Sequence, residues 1–132
     1  MTKTVRSDES VNARGVLVSI VDDDVSMRES LPHPLRLSGY ESKAFSSADE
    51  FLSSDCVSQT RCLILDIAMP GMSGLDLQQE LKRRGVGIPI IFITACRNEN
   101  LRTHVLAQGA AECLVKPFRA SALVDALKAA LK

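Results

Sequence analysis

The chain has 132 residues, of which 45% are hydrophobic and 24% charged, with 16 basic and 16 acidic side chains. This length suits one domain, and the composition excludes disordered, collagen-like and low-complexity classes. Because the formal net charge is zero, no overall positive field attracts the chain to nucleic acid or to an anionic membrane, and we expect it to bind neither directly. We expect a polar N-terminal arm over residues 1–14 and a single domain over residues 15–132.

The four cysteines indicate a reducing compartment. They form no CxxC pair, and none lies at metal-ligand spacing from the two histidines, His33 and His104. Cys62 and Cys113 lie inside apolar runs, which is typical of buried free thiols. Residues 1–14 lack the apolar stretch of a signal peptide, and no later run approaches the roughly 18 apolar residues of a membrane span. We therefore expect a cytoplasmic protein.

Five short apolar runs predict β-strands. Strand 1 covers residues 16–21 and ends abruptly at Asp22, and strand 2 at residues 40–45 is weaker. Strands 3, 4 and 5 are predicted at residues 62–66, 88–94 and 111–115. Strands 1, 3 and 4 are almost wholly apolar, which is typical of a parallel sheet covered by helices on both faces.

Five segments of helical periodicity follow the strands. The third has the clearest signals, with Ser73 as N-cap, Asp76 three residues later and Gly85 beyond its end. The first contains Pro32 and Pro34, and since an interior proline costs about 3 kcal/mol, we expect this helix to start late, kink or partly unwind. Predicted helices 1 to 5 cover residues 26–37, 47–53, 73–84, 98–108 and 119–131.

The alternation predicts a (βα)5 fold of the α/β class, a doubly wound parallel sheet of five strands. Right-handed crossovers place the carboxyl ends of all strands at one edge, where open α/β sheets bind ligands. Polar residues stand at four of these ends: Asp22, Asp23 and Asp24 after strand 1, Asp66 in strand 3, Thr94 in strand 4, and Lys116 after strand 5.

Clustered carboxylates at that edge require a proton or a cation. Two unit charges about 4 Å apart repel by about 4 kcal/mol at an effective dielectric of about 20. A site of oxygen ligands without thiolate or imidazole favours Mg²⁺. Lys116 adds a positive charge and Thr94 a hydroxyl donor, so the same edge suits an anion. For Asp24, which follows Asp22 and Asp23, we favour a helix cap or a solvated neighbour.

The residues at these strand ends resemble the receiver domain of two-component response regulators, and the resemblance covers roughly residues 15–131. Two further stretches, Phe45-Ser46-Ser47-Ala48 and the segment from Pro89 to Thr94, resemble the FixJ-type branch. The motifs that carry the family resemblance are Val21-Asp22-Asp23-Asp24, the segment from Leu65 to Gly74, Ile93-Thr94-Ala95 and Val115-Lys116-Pro117-Phe118.

The resemblance implies a flavodoxin-like fold of strand order 2-1-3-4-5 that accepts a phosphoryl group on Asp66. The donor would be the phosphohistidine of a sensor histidine kinase or of a histidine phosphotransfer protein. Mg²⁺ would be held by Asp22, Asp23, Asp66 and the backbone carbonyl of Ala68. Thr94 would capture a phosphoryl oxygen after transfer, and Lys116 would pair with the phosphoryl group. Such a domain is a phosphoprotein of signal transduction and not a turnover enzyme.

The resemblance also implies an output surface. Phosphorylation would switch the face formed by predicted helix 4, strand 5 and helix 5, which would contact a downstream effector or a second copy. No output domain is visible after helix 5, so a stand-alone receiver and a piece of a larger regulator both remain open. Cys113 stands where such receivers usually carry Tyr or Phe as a rotamer switch, which leaves the route of the output open.

Other classes fit the sequence less well. A haloacid dehalogenase-type phosphatase needs an acid two residues after its nucleophilic aspartate, where this chain has Ala68. A P-loop enzyme needs a GxxxxGK[ST] motif, which the sequence lacks. A degenerate receiver that only binds a protein partner remains open, although its mark would be the loss of a phosphorylation residue.

Overall fold

The carboxyl ends of five parallel strands lie along one edge of a single sheet in the computed structural model, which describes residues 15–132. The strand order is β2-β1-β3-β4-β5, and every neighbouring pair is parallel. This confirms the predicted fold class and strand order. The strands are β1 Leu17–Val21, β2 Glu41–Phe45, β3 Thr60–Asp66, β4 Ile90–Thr94 and β5 Glu112–Val115.

Six helices connect or follow these strands within the described part of the chain. Predicted helix 1 is two helices in the structure, so predicted helices 2 to 5 correspond to α3 to α6. The bounds are α1 Val25–Ser30, α2 Pro32–Leu37, α3 Ala48–Leu52, α4 Gly74–Arg83, α5 Glu99–Ala107 and α6 Ala120–Ala130. None of the helices in residues 15–132 has the length and apolar character needed to cross a membrane.

The sheet divides the core into two hydrophobic clusters. Alternate residues of β3 belong to opposite clusters, with Leu63 and Leu65 on one face and Cys62 and Ile64 on the other. Helices α3, α4 and α5 cover the first face, and α1, α2 and α6 cover the second. Burial on both faces explains why β3 and β4 are almost wholly apolar.

The prolines interrupt the first helical segment, as the sequence predicts. The break falls at Leu31, which is both the C-cap of α1 and the residue before Pro32, the first residue of α2. Because proline has no N–H group, Pro32 and Pro34 cannot donate to the carbonyls four residues earlier. Leu31 keeps helical dihedral angles and donates to the Met27 carbonyl, so the segment continues around the turn with two hydrogen bonds missing.

Element boundaries differ from prediction by up to two residues. Strand β3 starts at Thr60, whose hydroxyl lies 2.7 Å from that of Ser19 in β1, so two small polar residues are buried together. Strand β4 starts at Ile90, since Pro89 before it has no N–H group to donate. The predicted polar arm over residues 1–14 lies outside the described residues.

Candidate functional site

Four strand ends bring the predicted site residues together. Asp22 directly follows β1, Asp66 is the last residue of β3, Thr94 is the last residue of β4, and Lys116 directly follows β5. The strands are parallel and adjacent, so residues from the first and last thirds of the chain meet at one edge. The side chains of Asp22 and Lys116, 94 positions apart in sequence, are hydrogen bonded.

The centre of the site is an acidic cluster. One carboxylate oxygen from each of Asp22, Asp23 and Asp66 lies within 4.8 Å of the others. Asp22 and Asp66 are buried and Asp23 is exposed, so the cluster is open to solvent on one side. All three ligand candidates are carboxylates, the hard oxygen donors that suit Mg²⁺. The donor chemistry of the cluster therefore fits a magnesium site.

Lys116 offsets part of the negative charge of this cluster. Its Nζ donates to Oδ2 of Asp22 at 2.9 Å and lies 3.8 Å from Oδ1 of Asp66. Burial disfavours the charged form of Lys116, but the hydrogen bond to Asp22 and the charges of Asp66 and Asp22 outweigh it, and the pKa of Lys116 is raised. Lys116 therefore stays protonated between two carboxylates.

The same surroundings disfavour the charged form of Asp66. Burial, followed by the hydrogen bond and negative charge of Asp22, raises the pKa of Asp66 to about 7, against the smaller opposing effect of Lys116. In the unfolded chain the pKa of this carboxyl returns to its ordinary value of 3.8. Between these two values the folded state binds the extra proton, so the stability of the metal-free fold falls as pH rises from about 4 to about 7.

We therefore expect Asp66→Asn to remove this loss of stability. In EDTA, the melting temperature of the variant should exceed that of the wild type by more at pH 8 than at pH 5, and the difference should level off above pH 7. Thermal unfolding followed by circular dichroism at both pH values measures this effect. Asp55→Asn, a change at an exposed aspartate away from the site, is the control and should follow the wild-type profile. Parallel profiles for wild type and Asp66→Asn would contradict the raised pKa.

Thr94 is buried beside the cluster at the end of β4. Its Oγ1 accepts the backbone N–H of Cys96 at 3.0 Å, and its carbonyl accepts the N–H of Lys116 at 2.7 Å. Thr94 thus contacts both the loop before α5 and the end of β5. Its predicted role toward a phosphoryl group stays a prediction, as does the role of the Ala68 carbonyl, whose residue is exposed two positions beyond β3.

Asp24 is a helix cap, which confirms the favoured interpretation. Its Oδ1 accepts the N–H of Ser26 at 2.9 Å and its backbone precedes α1 in an extended conformation. Hydrogen bonds from Ser26 lower the pKa of Asp24 despite a small opposing effect of desolvation. Its N–H donates to Oδ1 of Asp22 at 3.0 Å, so the cap also fixes the buried carboxylate.

Two residues that the sequence analysis did not single out for the site also position it. Arg28 donates from Nη1 to the carbonyl of Asp22 at 2.9 Å and thereby fixes the end of β1. Gly74, the first residue of α4, donates its N–H to the Ile67 carbonyl at 2.9 Å and packs directly against the backbone of Asp66. The Ser73 capping box marked the start of α4 in the sequence, but no local signal marked the packing of Gly74 against Asp66 or the role of Arg28.

Comparisons with known proteins agree with this geometry. A family model described as "Response regulator receiver domain" matches residues 18–128. Nodulation protein W of Bradyrhizobium diazoefficiens is 46% identical over 114 residues, which are 86% of this chain and 50% of that protein. The response regulator protein TodT of Pseudomonas putida is 42% identical over 119 residues, which are 90% of this chain and 52% of that protein.

Solved structures show the same likeness. The response regulator StyR superimposes with a TM-score of 0.81 at 44% identity over 89% of this chain and 59% of that chain. FixJ-N superimposes with a TM-score of 0.78 at 31% identity over 88% of this chain and 93% of that chain. The chain therefore belongs to the response regulator receiver domain family, in its FixJ-like branch, and is a signalling domain of two-component systems. It spans about half the length of the curated relatives reported above.

Proposed function

We propose that the chain accepts a phosphoryl group on Asp66 from the phosphohistidine of a sensor histidine kinase or a histidine phosphotransfer protein, in a Mg²⁺-dependent reaction. The observation that carries the proposal is the cluster of Asp22, Asp23 and Asp66, whose carboxylate oxygens lie within 4.8 Å of one another with Lys116 beside them. An aspartate at a metal-compatible site, flanked by a cation and a hydroxyl, is suited to receive a phosphoryl group.

Asp22, Asp23, Asp66 and the carbonyl of Ala68 would hold the metal ion. Bound Mg²⁺ would supply positive charge that neutralises the acceptor carboxylate and the phosphoryl oxygens. Asp22 is fixed for this role by the N–H of Asp24 on its side chain and by Arg28 on its carbonyl. Asp22 is thus positioned by β1 and α1 together, whereas Asp66 is held by β3.

Asp66 is the nucleophile in this proposal. One of its carboxylate oxygens forms a bond to phosphorus as the bond between phosphorus and the donor histidine nitrogen breaks, and the nitrogen keeps the electron pair. Lys116, 3.8 Å from the Asp66 carboxylate, is within reach of the new phosphoryl oxygens, and Thr94 supplies its hydroxyl to one of them. The product remains on the chain, so the domain promotes its own modification and is not a turnover enzyme.

The donor would approach beside the interrupted helix. A cavity of about 450 Å³ borders Lys116 and is lined by Met27, Leu31, Pro34 and Phe118 among others. The break at Leu31 shapes one wall of this cavity, so the prolines would influence which donor protein fits.

Several features of the wider protein belong to the same proposal. We propose that residues 15–132 form one receiver domain preceded by a polar arm, that the domain works in the cytoplasm, and that the face of α5, β5 and α6 contacts an effector or a second copy. The free thiols of Cys56, Cys62 and Cys113 are buried, which fits a reducing compartment. The response regulators TodT and StyR are related proteins in which such a domain is part of a longer chain.

Incubation with acetyl phosphate and Mg²⁺ tests the proposal without a cognate kinase. We expect intact-mass spectrometry to show the gain of one phosphoryl group, and we expect EDTA to prevent it. Asp23→Asn should slow the reaction at limiting Mg²⁺ at least tenfold, because it removes one anionic ligand. Asp24→Asn is the matched control and should react like the wild type, since asparagine caps a helix as well as aspartate.

Failure of the wild type to gain mass, together with failure to bind the phosphoryl mimic beryllofluoride, would contradict the proposal. That outcome would favour a receiver that only binds a protein partner.

A further inference from the structure

Two charged side chains join α5 to β5 outside the acidic cluster. Arg102 of α5 places Nη2 2.7 Å from Oε1 of Glu112, the first residue of β5. Its Nε donates to the carbonyl of Cys113 at 3.4 Å, and the same Glu112 oxygen accepts the N–H of Cys113 at 2.8 Å. We call this set of contacts the Arg102–Glu112 bridge. It connects the two elements through both side-chain and backbone groups.

The bridge holds the backbone of Cys113, the position at which the receiver resemblance implies an aromatic ring. Cys113 is 3% exposed and packs with Val105 of α5 in the first hydrophobic cluster. A thiol lacks the size to alternate between buried and exposed rotamers in the way a ring does. Strand β5 is at the edge of the sheet, so the N–H and carbonyl of Cys113, which face away from β4, have no partner strand. They are hydrogen bonded to Glu112 and Arg102 in the bridge.

A short run of contacts connects the bridge with the acidic site. Thr94 accepts the N–H of Cys96, which lies in the loop leading into α5. Asn98 caps α5 by accepting the N–H of Asn100 at 2.8 Å, and Arg102 lies about one turn further along the helix. If the Thr94 side chain turned to a phosphoryl group on Asp66 and gave up its hydrogen bond with the Cys96 amide, this contact would be lost. The loop before α5 then loses a fixed partner.

We propose that the Arg102–Glu112 bridge holds α5 against β5 in the unphosphorylated chain and opens when Thr94 turns to the phosphoryl group on Asp66. This role rests on the proposed phosphorylation of Asp66, and opening of the bridge is the structural change that would follow it. The bridge thus replaces the absent aromatic switch. Separation of the Arg102 and Glu112 side chains changes the surface formed by α5 and β5.

Thermodynamic linkage determines whether removal of the bridge raises or lowers the affinity for a phosphoryl group. A contact that exists only in the unphosphorylated state opposes the binding of a phosphoryl group, so its removal must tighten that binding. The side chains of Arg102 and Glu112 are 40% and 31% exposed. For a partly exposed ion pair, the expected effect is roughly two- to fivefold in affinity.

The experiment is an NMR titration with beryllofluoride in the presence of Mg²⁺. Arg102→Met, which keeps the apolar stem, and Glu112→Gln, which removes the charge, should both bind the probe two- to fivefold more tightly than the wild type. Both should also exchange the Cys113 amide hydrogen faster without ligand. Arg83→Met is the matched control, because Arg83 pairs with Glu80 at 3.0 Å within α4 and joins no two elements.

The outcomes separate the two proposals. If the wild type binds beryllofluoride and Arg102→Met and Glu112→Gln bind it with the same or weaker affinity, the proposed role of the bridge is overturned. The proposed phosphorylation of Asp66 would stand in that case. If Arg83→Met tightened binding as much as Arg102→Met, the bridge would have no specific role and the proposal would fail. If the wild type neither binds beryllofluoride nor gains a phosphoryl group, the proposed function fails and the regulatory role with it.

Discussion

Asp66→Asn is expected to abolish phosphoryl incorporation from acetyl phosphate while the fold stays intact. An amide has no anionic oxygen to attack phosphorus, and it is nearly the same size as the carboxylate it replaces. The substitution also removes one of the two buried charges that repel each other across the cluster, so the variant should be folded and at least as stable as the wild type near pH 8. Intact mass measures the incorporation, and circular dichroism measures the fold.

Asp24→Asn is again the matched control, because it lies next to the cluster and keeps the cap of α1. It should label fully under the same conditions. Phosphoryl incorporation into a folded Asp66→Asn protein would mean that another residue is the acceptor. The proposed function would then need a different nucleophile.

Gly74→Ala is expected to lower the free energy of unfolding by roughly 3 kcal/mol. A Cβ at this position would lie 2.9 Å from Cα of Ile67 and closer still to the carbonyl oxygen of Asp66. Both are backbone atoms, so neither can rotate out of the way, and α4 must shift from the end of β3. The intrinsic preference of alanine for helices offsets at most about 1 kcal/mol of this cost. Urea denaturation measures the change.

Gly87→Ala is the control for the effect of adding a methyl group. A Cβ at Gly87 has no neighbour within 4 Å, so its free energy of unfolding should stay within about 1 kcal/mol of the wild type. Equal stability of Gly74→Ala and Gly87→Ala would contradict the close approach of α4 to Asp66. A destabilised Gly74→Ala that still folds should also label Asp66 more slowly, because the acceptor backbone moves with the helix.

Much of this architecture is encoded locally and could be predicted. The apolar run before Asp22 and the run that ends in Asp66 are strands in the structure, and Ser73 with Asp76 forms the predicted capping box. Once the sheet is parallel, the ends of β1 and β3 must meet at one edge. The gathering of Asp22 and Asp66 therefore follows from strand pattern and topology without any knowledge of side-chain contacts.

Other contacts could not be predicted, because they join residues far apart in sequence. Lys116 donates to Asp22 and only approaches Asp66, a preference set by the relative positions of β1 and β5. The ion pair of Arg102 with Glu112 depends on how α5 lies across β5, which helical periodicity does not determine. The position of the break at Leu31 likewise follows from how the chain turns around two prolines, although the prolines themselves predicted that this helix would be interrupted.

The hydrogen bond between Asp22 and Lys116 has a consequence for cooperativity. These residues are 94 positions apart and stand at the ends of β1 and β5, so the acidic site exists only when strands from both halves of the chain are in place. A ligand that binds there stabilises the entire fold and not one loop, and its binding energy adds to the global free energy of unfolding. Slow amide hydrogens throughout the sheet, including those remote from Asp66, should then exchange more slowly when the site is filled.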